Sequence, residues 1–485
     1  MTRTIDDLDT DALAQCASYL DLQDVSNMAM TSKYLKSVAY SDPVWRGLFR
    51  KRWPFQMSSN FLPESGIKEA YLHRHIALNQ FKFNDPWSRQ FLSDSTPYTH
   101  ILIDQNDIIL AQDWKIIMNV DAFAFEKDNM VTMRNHNARI TCIRLFPFHE
   151  TSVFRSETQK KDTVLVTASC DHTIRLWWNG RSQRCFKGHN GPVTTIGDRL
   201  LGESSRIVFA SGGSDGTVRL WSLKFSGKRG QHALKTTFYG HERPISVLTV
   251  AGHKASLLVS ISKDAKVRVW DATTPSSTHS SGCVGTTSAP VGFSGCKSRE
   301  PVGMKCHESL IYVAAGSLVT AIDLRTMQYA CTSAIQPDIY SFEMLPSKVL
   351  LCTGGSDKAM LWDIRRSQKN PKPVTEFGHS DPVSHLHMDP YKVVTGSVMG
   401  SDINVWDPNT GMLLNSLKCY NPEDPNTIGG CCAMAVNGSR IVTASLNGDI
   451  RYKEYTHAMS LISSSEADID SKFWEPQVHS YDSDD

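Results

Sequence analysis

The chain has 485 residues, 40% hydrophobic and 21% charged, the balance of a polypeptide that folds around a core rather than staying disordered. Its 51 basic and 50 acidic residues leave a net charge of +1, so no long-range field draws it to nucleic acid or an anionic membrane, and no apolar run is long enough to cross a bilayer. The acidic start MTRTIDDLDTDALAQ lacks the pattern of a secretory leader and no cysteines form a Cys-x-x-Cys pair, so reduced thiols in a cytoplasmic or nuclear protein are expected, with no metal or cofactor.

Residues 8 to 53 carry the punctuation of short helices. Asp9 or Thr10 opens the first, with Leu13, Cys16, Ala17 and Leu20 on one face. Asp21, followed by Asp24, opens a second that carries Leu22, Val25, Met28 and Ala29. A third offers Leu35, Val38 and Ala39. Asp42-Pro43 then caps a helix bearing Val44, Trp45, Leu48 and Phe49, which Trp53-Pro54 stops. So short a unit makes a marginal core, and its apolar side chains exceed what thin helices bury among themselves, which implies a partner surface.

The order LDTDALAQCASYLDLQDVSNMAMTSKYLKSVAYSDPVWRGL resembles the F-box, from the opening leucine through Leu20-Asp21-Leu22 to the aspartate-proline-x-tryptophan close. Asp9 departs from it, standing where the family usually has proline. The resemblance places an F-box at 5–53 and implies docking on the adaptor of a Skp–cullin–F-box ubiquitin ligase through Leu8, Leu13, Leu20, Leu22, Val25 and Trp45. A self-contained three-helix cap is the plainer alternative. A helical linker is expected at 54–95, with Ile67, Ala70, Tyr71 and Leu78 near one face.

Beyond it, short β-branched runs alternate with turn residues, and the phrases TIRLW, TVRLW, KVRVW, AMLWD and INVWD end on or near Trp177, Trp221, Trp270, Trp362 and Trp406. Steps of 44 and 49 residues between them fit the period of a four-stranded propeller blade. Within a repeat, Thr167, Asp171 and Trp177 share their spacing with Ser211, Asp215 and Trp221 and with Ser260, Asp264 and Trp270. This resembles WD-repeat proteins and implies that His136, His189 and His241 join a buried hydrogen-bond network in each of these blades. Degenerate copies carry Met118, Ile322 and Tyr452 at the tryptophan position, which gives eight blades, with seven as the alternative because the first copy is set apart by the polar stretch at 149–162.

The fold class expected is therefore mainly β: a WD-repeat β-propeller over 96–460, behind a small all-α F-box and a helical linker. A Ser/Thr/Gly-rich segment at 272–300 reads as an inter-blade loop and 461–485 as an acidic tail without fixed structure. Recurrence of the Asp, His and Ser/Thr set marks it as a structural staple rather than a hydrolase triad, which occurs once and needs an exposed nucleophile. The expected function is that of a non-catalytic substrate receptor whose rim offers Asn137, Arg139, Asn190, Glu242, Arg243, Ser380 and Asp381 to an acidic or phosphorylated protein segment. A propeller scaffold outside any ligase is the alternative.

Overall fold

The computed structural model describes residues 8–52, 66–83, 86–91, 96–104, 107–119, 130–147, 163–178, 180–202, 207–223, 233–273, 282–292, 300–346, 349–365, 371–419 and 429–455. The expected tail at 461–485 and the Trp53-Pro54 stop lie outside them. The chain divides into two units, residues 1–88 with 453–485, and residues 89–452.

The first unit contains the helices α1 (Thr10–Ala17), α2 (Leu22–Thr31), α3 (Lys33–Ala39), α4 (Asp42–Arg52) and α5 (Ile67–Phe83). Asp21 caps α2 by accepting from Asp24 N at 2.8 Å, and Ser32 caps α3 by accepting from Leu35 N at 3.1 Å. Asp9 stands at the N-cap of α1 in an extended conformation, but its side chain takes no capping bond. Leu13, Ala17, Val25, Val38, Val44, Trp45 and Leu48 are buried together with Ile67, Tyr71, Leu72, Leu78 and Phe81 of α5. Tyr71 meets Trp45 edge-on at 5.4 Å, so α5 closes the side of the core that four short helices leave open. Where α1 ends against α4, a Cβ on Gly47 would come within 2.5 Å of Ser18 Cβ, which makes glycine the residue that allows the crossing.

The second unit is a β-propeller of eight antiparallel four-stranded sheets. Seven sheets take their strands in sequence order, forming blades one to seven at 100–133, 140–187, 193–238, 245–288, 301–335, 341–378 and 385–418. Blade eight is built from both ends of the chain: Cys431–Asn437, Arg440–Ser445 and Ile450–Glu454 are joined by the strand Trp87–Phe91. Its inner strand Cys431–Asn437 lies beside His100–Asp104, which closes the ring. The degenerate first copy forms its own sheet, with Ile109 opposite Met118 just as Leu165 lies opposite Trp177, so the count is eight and not seven. Inner strands are tied head to head: Thr141 Oγ1 donates to Val193 O, Thr194 Oγ1 to Ile245 O at 2.6 Å, Ser341 Oγ to Val383 O at 2.7 Å and Cys432 Sγ to Tyr98 O at 3.1 Å.

Two expectations change. The segment expected as a helical linker, 54–95, contains the strand Trp87–Phe91, whose pairing partner lies more than three hundred and fifty residues on and so leaves no local sign. The segment 272–300 is not merely a loop, because Cys283–Ser288 forms the outer strand of blade four. An outer strand has a neighbour on one side only and its residues alternate between half-buried and exposed, so Gly, Ser and Thr suffice there. Gly282 enters that strand at φ +57 with Phe238 Cε1 2.5 Å from where a Cβ would stand, a place only glycine fits.

Candidate functional site

Three surfaces carry the residues that the sequence singles out. On the helical unit, Leu8 is 52% exposed with its backbone held by Tyr34 Oη donating to Leu8 O at 2.8 Å, while Leu20 and Leu22 are half-buried. Leu13, Val25 and Trp45, expected as docking contacts, are buried, the last two completely, and so are not open on the surface of this structure. They belong to the unit's own core, where Tyr71 of α5 covers Trp45. Tyr19 at 75% and Met30 at 57% are exposed apolar side chains that the sequence reading passed over.

Inside the blades the staples assemble from strand, turn and loop. Thr167 accepts from Trp177 Nε1 at 2.9 Å and pairs with His136 Nε2 at 2.8 Å, and His136 Nδ1 meets Asp171 Oδ2 at 2.9 Å. Asp171 also accepts from Thr173 Oγ1 at 2.6 Å and from Asn137 N at 3.0 Å. One arrangement satisfies every group: neutral histidine donates from Nδ1 to the carboxylate, accepts from the hydroxyl at Nε2, and the hydroxyl accepts from the indole. In the next blade Ser211, His189, Asp215 and Trp221 repeat it, with bonds of 2.8 Å from Trp221 to Ser211, 2.8 Å between Ser211 and His189, and 3.1 Å between His189 and Asp215. Thr167 and Ser211 are wholly buried, so neither hydroxyl is open to a substrate.

Related staples occur where the sequence spacing is irregular. Trp362 Nε1 donates to Thr353 Oγ1 at 2.9 Å, and Thr353 in turn donates to Gln336 Oε1, an amide standing where histidine is usual. Trp406 Nε1 donates to Thr395 Oγ1 at 2.8 Å, which pairs with His379 at 2.8 Å, but Met399 occupies the aspartate position. The hydroxyls precede their tryptophans by nine and eleven residues instead of ten, a shift that hides them from a fixed-spacing search.

On the propeller rim, Asn137, Arg139, Asn190, Glu242, Arg243 and Ser380 are exposed and Asp381 half-buried. Their backbones serve the turns: Asn190 N donates to Asp215 Oδ2 at 2.9 Å and Cys170 N to Arg139 O at 2.9 Å. Glu242 lies 3.5 Å from Lys266 Nζ and Ser380 Oγ donates to Asp381 at 2.8 Å, so these side chains partner one another or face solvent. No group of three or more His, Cys, Asp or Glu among the described residues is placed to hold a metal ion, and none of the helices in this set is long and apolar enough to cross a membrane.

Residues 5–47 match the F-box domain family, and residues 128–177, 180–222 and 233–271 match the WD domain, G-beta repeat family. The chain is an F-box protein with a WD-repeat domain. It is similar to nuclear distribution protein nudF of Aspergillus niger, 30% identical over 30% of this chain and 28% of that protein. It is also similar to ribosome biogenesis protein YTM1 of Meyerozyma guilliermondii, 25% identical over 53% of this chain and 62% of that one. The chain thus spans less than two thirds of the length of these relatives. The computationally designed Ika8 protein shares the fold at a TM-score of 0.54 and 17% identity, over 75% of this chain and 98% of Ika8.

One WD repeat breaks its own staple. In blade four Ser260 accepts from Trp270 Nε1 at 2.8 Å and pairs with His241 Nε2 at 2.7 Å, but His241 Nδ1 is buried without a partner. Asp264, expected to hold it, instead accepts from Ser262 Oγ and lies 3.7 Å from Lys266 Nζ. Lys266 replaces the threonine that fixes the carboxylate in blades two and three, and the Asp264 side chain is 25% exposed against 10% for Asp171 and Asp215. Lys266→Thr in this F-box protein should return Asp264 to His241, raise the histidine pKa in an NMR titration and add about 1 kcal/mol of stability.

Burial, reinforced by Arg268, lowers the pKa of His241 to about 4, and burial with Arg144 does the same to His100. Their folded values lie below the ordinary value of about 6.5, so between those limits the unfolded chain binds more protons. The stability they contribute is complete above about pH 6.5 and is lost as pH falls toward 4. For Asp171 burial raises the pKa, yet bonds from Thr173, Asn137 N and His136 outweigh it and hold the carboxyl at about 2, so its contribution is lost between about pH 4 and 2. Denaturation midpoints of the WD-repeat domain should fall in two stages on acidification, and His241→Gln should flatten the first.

Proposed function

We propose that this chain is the substrate-recognition subunit of a Skp–cullin–F-box ubiquitin ligase, in which the F-box docks the adaptor and the propeller holds the protein to be ubiquitinated. One observation carries the reading: an F-box at 5–47 and WD repeats are joined in one chain. An F-box has value to a cell as an adaptor-docking device, and a rigid propeller with a loop-bearing rim is a platform for protein partners. Exposed Leu8, with half-buried Leu20 and Leu22, supports an apolar contact on the helical unit. Both domain types typically act as adaptors or scaffolds, and the reading gives the chain no chemistry of its own and a place in the cytoplasm or nucleus.

Affinity purification of the full-length protein should bring down the Skp-type adaptor and, through it, a cullin. A second reading, a scaffold outside any ligase, is favoured by likeness to a ribosome biogenesis protein over 53% of the chain. It requires that purified adaptor show no binding at micromolar concentration, the result that would remove the ligase reading.

A further inference from the structure

Around one rim of the propeller, the turn between the second and third strands of each blade alternates with the loops that lead from blade to blade. Ile140 N donates to Asp113 O at 2.7 Å, Cys431 N to Ser397 O at 2.8 Å and Leu446 N to Gly430 O at 3.0 Å. The eight turns occupy equivalent positions, so each serves as a control for the others. In blades two, three, four and six they carry Asp171, Asp215, Asp264 and Asp357, and in blade five Gly316-Ser317. In blades seven, eight and one they carry Met399, Leu446 and Trp114, exposed by 76%, 37% and 47%, with Asp449 beside Leu446 and Asp113 beside Trp114.

Those three blades are consecutive across the ring closure. A Cβ on Gly430 would come within 2.1 Å of Val398 O and 2.8 Å of Leu446 Cδ1, so the turns of blades seven and eight meet there. Cys432 Sγ lies 3.1 Å from both Ser445 O and Tyr98 O, which links the Leu446 turn to the chain entering blade one. The fold does not require large apolar side chains in these turns, since the turns of the other blades do without them. Large exposed apolar side chains on three neighbouring turns are a liability for solubility and mark a contact surface.

The chemistry at the end of the sector selects the occupant. Arg134 and Arg139, in the loop between blades one and two, are both exposed and make no ion pair among the described residues. We propose that Trp114, Leu446 and Met399, with the two arginines at one end, hold an extended segment of a partner protein that is apolar and flanked by acidic residues. Apolar side chains of the segment would lie on the indole and the adaptable methionine, and a carboxylate would meet the guanidinium groups. This rests on the reading of the propeller as the substrate-holding part of the chain and names the class of segment it takes.

A random peptide library displayed on phage and panned against the full-length protein tests it. Selected peptides should pair at least two large apolar residues with neighbouring Asp or Glu. Synthetic copies of them should bind Trp114→Ser/Leu446→Ser/Met399→Ser at least about tenfold more weakly. They should bind Lys263→Ala/Glu300→Ala, which removes an exposed ion pair outside the sector, unchanged, and panning against Arg134→Glu/Arg139→Glu should select basic flanks instead. No enrichment, selection of acidic peptides lacking apolar residues, or indifference to both the triple variant and the charge reversal would overturn the proposal. Should the triple variant melt early, the charge reversal decides. Adaptor binding measured on the same preparations separates the two readings: its loss with peptide selection intact refutes the ligase role alone.

Discussion

If the F-box docks the proposed adaptor, Leu8→Asp should abolish that binding in the full-length protein without changing its helix content, while Trp45→Ala should abolish it by unfolding the helical unit. The two outcomes follow from where the side chains stand. Leu8 is 52% exposed and its backbone is pinned by the Tyr34 hydroxyl, so a charge there meets water in the free protein and an apolar partner surface in the complex. Burying a leucine contributes about 1.5–3 kcal/mol, and placing an unpaired carboxylate in the same contact costs more, so affinity should fall about a hundredfold or beyond. Trp45 is fully enclosed against Tyr71, and truncating it opens a cavity worth about 3–5 kcal/mol in a unit of few residues. Circular dichroism alongside adaptor titration distinguishes the cases. Retained adaptor binding by a folded Leu8→Asp protein would show that this leucine takes no part in docking.

Trp221→Ala should lower the stability of the propeller by about 3–5 kcal/mol, whereas Trp114→Ala should change it by no more than about 0.5 kcal/mol. Both are tryptophans of propeller blades, and burial separates them. Trp221 is 1% exposed, packs edge-on against Phe186 at 5.7 Å and donates to Ser211 at 2.8 Å. Its loss leaves a cavity and takes one partner from a chain of bonds that runs on to His189 and Asp215. Trp221→Phe keeps most of the volume and should cost about 1 kcal/mol for the lost bond with a smaller packing loss. Urea denaturation followed through the propeller transition reads both; equal losses at the two positions would contradict the staple as a source of stability.

The WD repeats were legible in the sequence because their interactions are short in range. Thr167, Asp171 and Trp177 lie within one strand-turn-strand, and the pattern recurs from blade to blade, so the spacing carried the resemblance to WD repeats that implied the bonds of blades two and three. The helix starts were legible for the same reason, since Asp21 and Ser32 cap their own first turns. In blade four the same spacing misled, because the carboxylate of Asp264 is settled by competition among Ser262, Lys266 and His241, and only packing ranks such rivals.

Long-range contacts were decided by the tertiary structure alone. That Trp87–Phe91 completes the eighth blade follows from ring closure, which no local pattern records. That Leu13, Val25 and Trp45 are core side chains follows from how the helices pack, with Tyr71 of α5 set against Trp45. That Trp114, Leu446 and Met399 form one sector follows from the circle that makes blades seven, eight and one neighbours. Periodicity fixes which residues share a face of one element, while the choice between a covered face and an open one belongs to whatever element the folded chain brings against it.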